Sequence, residues 1–278
     1  LTSYYFIVLD QAIPEAFTHV PWLYGTLTFL ATYLLAKELG LGKAALLPAS
    51  LLTTSSIFTL ELTNYGYITV AWAFYVVTTC LYLIRLLREE NLCNLLIFGL
   101  SLGALLLSTY LSFIFAASLV ALLVISIVIK RMLKVESFLK PKPIVFGLII
   151  ASTILLPWLV RNYILLGNPV YPWFYELLGG KGINPTVMNM VPETHKTYEL
   201  RQLLVDNTFF ALSNEDLGYT LLVIGLIGAL YLALRNKGSS AFIGKLTLTF
   251  FIFMIAVMIM IHGYERYLLI VAPLLAIS

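Results

Sequence analysis

Reactive side chains crowd into the short stretch His262-Gly263-Tyr264-Glu265-Arg266-Tyr267. Arg266 offers a rigid fork of donors that matches a phosphate, and Glu265 would orient it. His262 would protonate or hydrogen-bond a leaving group, with Tyr267 beside it. Turning the chain does not require His, Glu and Arg so close together, although a surface ion cluster is the alternative.

A second constellation runs Pro157-Trp158-Leu159-Val160-Arg161-Asn162-Tyr163-Ile164-Leu165-Leu166-Gly167-Asn168-Pro169-Val170-Tyr171-Pro172. Gly167 suits a helix C-cap, and Pro169 and Pro172 favour an extended path beyond it. One reading is an aromatic belt at the lipid headgroups with Arg161 snorkelling. The other is the lip of an active site in which Arg161 meets a lipid phosphate, with Asn162, Asn168 and Tyr171 against the ligand. Arg201 lies on a stretch, Glu193 to Leu212, that the pattern predicts as a partly amphipathic helix. His195 has no second ligand at helical spacing, no Asp-x-Asp occurs, and Cys80 and Cys93 form no metal or disulfide framework, so no metal site is expected.

The elements that carry these groups follow from composition. Hydrophobic residues make up 60% of the 278, and only 11% are charged, against roughly 25% in an average soluble domain. So few charges cannot cover a soluble fold, and the long apolar runs lack the alternation of a β-barrel. The expectation is an all-α, polytopic integral membrane protein forming one domain. It has about nine transmembrane helices plus an N-terminal interfacial or truncated segment, Leu1 to Ile13. The spans read Val20–Ala36, Ala44–Leu60, Tyr67–Ile84, two within Leu92–Ile129, Ile144–Val160, Leu217–Leu234, Leu246–Ile261 and Tyr267–Ile277.

The run Leu92–Ile129 would be about 57 Å long as one helix, nearly twice a hydrocarbon core of ~30 Å. A fold at Ser108-Thr109-Tyr110 makes two ordinary spans. Loop charge tests that fold independently. It places Lys37, Lys43, Arg85, Arg88, Lys130, Arg131, Lys134, Lys140, Lys142, Arg235, Lys237 and Lys245 on one side, 12 of the 17 basic residues. The positive-inside rule makes that side cytoplasmic. Ten of the 14 acids, including Asp10 and Glu61, and all three histidines then lie outside with the long 161–216 loop. A net charge of +3 gives no argument for nucleic acid. The span interiors hold no ionisable residue, which disfavours an ion-coupled transporter.

The segments Pro157–Pro172 and Arg266–Pro273 together resemble the GT-C membrane glycosyltransferases, in particular the protein mannosyltransferase-like group that includes aminoarabinose transferases. Gly103–Tyr110 resembles a third family segment, in which a Lys often stands at the place of Thr109. The resemblance implies a GT-C-like fold in a prokaryotic plasma membrane. It also implies inverting transfer of a sugar from a polyprenyl-phosphate (dolichyl or undecaprenyl) donor to a protein, lipid or glycan acceptor on the external face. Membrane lipids and the donor are the implied partners.

In that family a carboxylate in the first external loop acts as base, and cationic side chains stabilise the departing phosphate. On this alignment that loop, and any divalent cation it binds, lies upstream of Leu1, and only Asp10 and Glu61 remain as weak candidates. From Leu62 to Arg88 there is no Asp or Glu, although the family often has an acid there. The expectation is a chain truncated at both ends that lacks its general base and is inactive alone. The competing readings are a flippase or polysaccharide permease for lipid-linked saccharides, and an O-antigen ligase- or polymerase-like enzyme.

Overall fold

The structure, a computed structural model, describes residues 14–54, 69–110, 112–133, 141–171, 175–181, 217–235, 238–261 and 272–277. Among the described residues every regular element is helical and there is no strand. In chain order these are α1 (Pro14–Glu38), a 3₁₀ turn (Gly42–Ala45), α2 (Leu46–Thr54), α3 (Thr69–Arg88) and α4 (Leu92–Ser108). They continue with α5 (Ser112–Leu133), α6 (Pro141–Leu166), α7 (Tyr175–Leu178), α8 (Leu217–Arg235), α9 (Gly238–Ile261) and α10 (Ala272–Ile277).

Local chemistry sets several boundaries. Proline opens α1 and α6, where its missing N–H would have had no helical partner. Asn91 caps α4: its side-chain oxygen accepts from the Asn94 N–H at 2.8 Å, while Asn94 Nδ2 donates to the Glu89 carbonyl at 3.2 Å. Inside α1, Thr28 and Thr32 are fully buried, and each hydroxyl donates to the carbonyl four residues earlier at 2.7 Å. These bonds let hydroxyls sit in a dry interior.

The single long helix over Leu92–Ile129 is excluded, because α4 ends at Ser108 and Thr109 is extended (φ −164°, ψ 151°). Neighbouring contacts give the path. Phe98 sits against Gly147, Gly99 against Ile150 and Gly103 against Ile154, so α4 and α6 run parallel. Tyr110 touches Asn162 near the far end of α6. The chain between Tyr110 and Pro141, which contains α5, therefore returns along the length of α4, as the charge argument requires.

Helix α4 packs between α6 and α3, and α3 packs on α1; α2 and α10 lie against α1. Helices α8 and α9 pair, and α9 meets α5, where the Phe115 and Phe250 rings stand edge to face at 5.2 Å. Trp72, Phe98, Phe115 and Phe250 are fully enclosed. Cys80 is buried in this core, as expected of a small core residue, while Cys93 is exposed.

At one end of the bundle Glu38 binds Arg85 (3.2 Å) and Arg88 (2.8 Å), and Arg88 also donates to Ser239 at 2.7 Å. The ends of α1 and α3 and the start of α9 thus share one end, the grouping that the loop charges predicted.

Among the described residues two helices, α3 and α6, are long and apolar enough to cross a membrane by length and composition. The outer faces of several helices are apolar as well. Leu96 and Leu100 on α4, Ile125 and Val128 on α5, Ile149 and Leu156 on α6, and Ile224 and Ile227 on α8 are all exposed. Of the expected span Ala44–Leu60 the structure describes residues up to Thr54, and of Tyr267–Ile277 it describes α10.

Candidate functional site

Helix α6 runs through Pro157 and continues past Val160, the end of the expected span, to Leu166. Arg161 and Asn162 therefore sit on its last turns, at the end of the bundle opposite the Glu38 cluster. Gly167 then takes a left-handed conformation (φ 75°) and its N–H bonds the Tyr163 carbonyl at 2.9 Å, the C-cap expected from the sequence.

Beyond the cap the path differs from the extended one that the prolines suggested. Asn168–Tyr171 forms a tight turn, closed by the Tyr171 N–H on the Asn168 carbonyl at 3.3 Å. The physical reason is the Asn168 side chain. Its Oδ1 accepts from the Val170 N–H at 2.9 Å and outweighs the tendency to extend. Its Nδ2 reaches forward to the Gly179 carbonyl at 3.0 Å. Gly179 (φ 67°) and Gly180 (φ 152°) then reverse the chain, and the Lys181 N–H lands on the Leu166 carbonyl at 2.7 Å. The segment leaves the end of α6 and returns to it.

Tyr110, in the α4–α5 connection, ties this corner to the bundle. Its hydroxyl donates to the Tyr171 carbonyl at 2.5 Å and accepts from Asn162 Nδ2 at 3.2 Å. Asn162 Nδ2 also faces the Pro169 carbonyl at 3.4 Å. Asn162 is 2% exposed and Asn168 fully buried, so their amides need these partners, and both are engaged in building the corner. Arg161, by contrast, is exposed. Its guanidinium lies over the Trp158 ring with Cζ 5.5 Å from the ring centroid, and it forms no ion pair among the described residues.

Of the candidate residues, the structure brings together Arg161, Asn162, Asn168 and Tyr171. Asp10, Glu61, Arg201, His262, Glu265, Arg266 and Tyr267 lie outside the described residues, as do Pro172, the Glu193–Leu212 stretch and most of the 161–216 loop. Two residues at the corner, Tyr110 and Lys181, are not among the sequence-predicted site residues. Tyr110 lies in the hairpin motif, but nothing there signals that its hydroxyl meets Asn162, 52 positions away. Lys181 follows the Gly179-Gly180 pair, which was the one available sign of a chain reversal. Among the described residues no cluster of three or more His, Cys, Asp or Glu could hold a metal ion.

What the corner offers chemically is a fixed scaffold with cations on its outer side and no acid paired to them among the described residues. No protein-family model, curated protein or solved structure matches the chain.

Proposed function

We propose that this chain is a polytopic membrane protein of the glycosyltransferase type, and that the corner at the end of α6 faces the external headgroup layer. There it would bind the phosphate of a polyprenyl-phosphate sugar donor. The observation that carries the reading is Arg161: exposed, steadied on Trp158, and without an acidic partner among the described residues. The many large apolar side chains left exposed on α4, α5, α6 and α8 support the membrane setting.

In the proposed reaction an acceptor hydroxyl attacks the anomeric carbon of the donor sugar. The bond from that carbon to the phosphate oxygen breaks, and the polyprenyl phosphate leaves with the electron pair. The hydroxyl proton passes to a carboxylate, for which Asp10 and Glu61 are the candidates in this chain. Inversion follows from single displacement. Arg161 acts on the developing phosphate charge, which its guanidinium fork can meet bidentately and more strongly as the charge builds in the transition state than in the ground state. The cation–π contact orients the fork without neutralising it.

The test is sugar transfer from a polyprenyl-phosphate donor to acceptor in native membranes. Arg161→Ala should lower kcat/KM by about 10²-fold. Arg161→Lys should retain part of it, since the charge persists without the bidentate geometry. Undiminished transfer by Arg161→Ala, with Cys80 still shielded from alkylation, removes Arg161 from the mechanism.

A further inference from the structure

We infer that the open side of α3 binds an anionic glycerophospholipid of the cytoplasmic leaflet, with the phosphate on Arg85 and an ester carbonyl on the Tyr82 hydroxyl. Of the proposed function this uses only the membrane setting and its orientation, not sugar transfer. Helix α3 is buried on every side but one. From Thr69 to Leu87 every residue is buried except Ala71, Phe74, Tyr75, Thr78, Tyr82 and Arg85. Steps of three or four positions, with Phe74 beside Tyr75, make these a single stripe along the helix.

The stripe has the wrong chemistry for bulk lipid tails. Other open helix faces show aliphatic side chains, such as Leu96 and Leu100 on α4 or Ile149 and Leu156 on α6. On α3 the open groups are rings, hydroxyls and a guanidinium, and a polar group facing hydrocarbon costs free energy unless it has a partner. Thr78 donates to the Phe74 carbonyl at 2.8 Å, and the hydroxyls of Tyr75 and Tyr24 of α1 share a hydrogen bond at 3.1 Å. Arg85 bonds Glu38 through Nε. Its two Nη groups and the Tyr82 hydroxyl have no hydrogen-bond partner among the described residues.

The geometry orders these two groups for a headgroup. An arginine near a helix end snorkels toward water when nothing holds it. The Arg85 guanidinium instead lies over the Tyr82 ring, with Cζ 5.3 Å from the centroid. Tyr82 is three positions, about 4.5 Å, nearer the membrane interior. Cation and hydroxyl thus stand in the order in which a glycerophospholipid presents its phosphate and its ester. Tyr75 lies ten positions from Arg85, about 15 Å, which is half of a ~30 Å hydrocarbon core and so the depth of one leaflet. There the rings of Tyr24, Phe74 and Tyr75, with centroids 5.2, 5.9 and 5.9 Å apart, wall the path of an acyl chain. Charge favours an anionic headgroup, because Arg85 and Arg88 share one carboxylate, Glu38, and the cluster keeps a net positive charge.

The experiment titrates the protein in detergent with phosphatidylglycerol, phosphatidylcholine or diacylglycerol and reads the first bound lipid by native mass spectrometry. Phosphatidylglycerol should bind tightest. Tyr82→Phe keeps the ring under Arg85 and should weaken phosphatidylglycerol by about two- to tenfold. Arg85→Gln should weaken it by about tenfold or more, and Arg85→Lys by less. Shielding of Cys80 from alkylation verifies that each variant is folded. Phosphatidylcholine bound as tightly as phosphatidylglycerol overturns the anionic headgroup, and diacylglycerol bound as tightly overturns the phosphate contact. Displacement by glycerol phosphate at concentrations comparable to the lipid overturns a lipid source for the phosphate. Wild-type affinity in Tyr82→Phe overturns the ordered site whatever Arg85→Gln does, since a surface charge alone would remain. Arg161 stands at the opposite end of the bundle, so none of these failures touches the reading of sugar transfer.

Discussion

Glycine spacing on α4 sets how closely α6 approaches, and it makes a sharp forecast for two substitutions that look alike on paper. A Cβ on Gly99 would lie 2.6 Å from Ile150 Cβ and 2.7 Å from its Cγ2. Ordinary contact begins at 3.4 Å, so the helices would have to part by ~0.8 Å, because a Cβ cannot move without its backbone. A Cβ on Gly103 instead meets Ile154 Cδ1 at 2.7 Å, with Cβ at 3.0 Å. There the worst clash is with the mobile tip of a side chain.

Overpacking costs about 1–3 kcal/mol, and Ala regains roughly 1 kcal/mol of helix propensity over Gly. Gly99→Ala should therefore destabilise by about 2 kcal/mol and Gly103→Ala by about 1 kcal/mol. Ile154→Val deletes Cδ1 and should rescue Gly103→Ala with a coupling of about 1 kcal/mol. Ile150→Val also deletes only Cδ1, which is not among the clashing atoms, and should rescue Gly99→Ala hardly at all.

Cys80 provides the assay. It is fully enclosed, so in a Cys93→Ser background thiol labelling during a thermal ramp in detergent reports unfolding. At about 2–4 °C per kcal/mol, Gly99→Ala should lower Tm by roughly 4–8 °C. Equal rescue by the two Ile→Val changes, or a Gly99→Ala variant as stable as the wild type, would refute the close-packed α4–α6 interface.

Three further outcomes follow from the same geometry. Cys93 lies at the start of α4, on the end of the bundle that holds the Glu38 cluster; a membrane-impermeant maleimide should label it in inverted vesicles but not in intact cells. Labelling in intact cells would reverse the proposed orientation. Tyr110→Phe removes the bond to the Tyr171 carbonyl and one partner of Asn162, so it should cost about 1–2 kcal/mol and speed amide exchange across residues 168–171 before the bundle unfolds. Uniform exchange rates would mean that Tyr110 does not secure the corner. Glu38→Gln leaves Arg85 and Arg88 without their carboxylate, but at 33% and 40% side-chain exposure solvent screens both. The loss should be about 1 kcal/mol and should shrink as salt is raised, read as Tm against ionic strength.

Much of the helical layout was legible because it rests on strong physics. An apolar run too long for one span, with basic residues at both ends, has to fold, and Ser108-Thr109-Tyr110 was the polar place to do it. Gly167 as a cap was readable for the same reason: a left-handed residue ends a helix wherever it stands. Less legible was anything set by long-range pairing. Arg85 and Arg88 counted as loop charges, yet Glu38, 47 and 50 positions away, holds both. Asn162 and Asn168 suggested ligand contacts, but their amides are engaged in the corner, because a buried amide must find partners. Lys181 carried no motif, since its place depends on a backbone bond that no side chain announces.

The bond between Arg88 and Ser239 also bears on how the chain is made. Its partners lie 151 positions apart, so at roughly 5–20 residues per second Ser239 emerges about 8–30 s after Arg88. Through that interval Glu38, already synthesised, is available to pair with Arg88 as it does in the finished fold. The first half of the bundle can thus assemble on the ribosome around its own ion pairs. Helix α9 then docks late, closing onto an arginine that has been waiting in place for its serine.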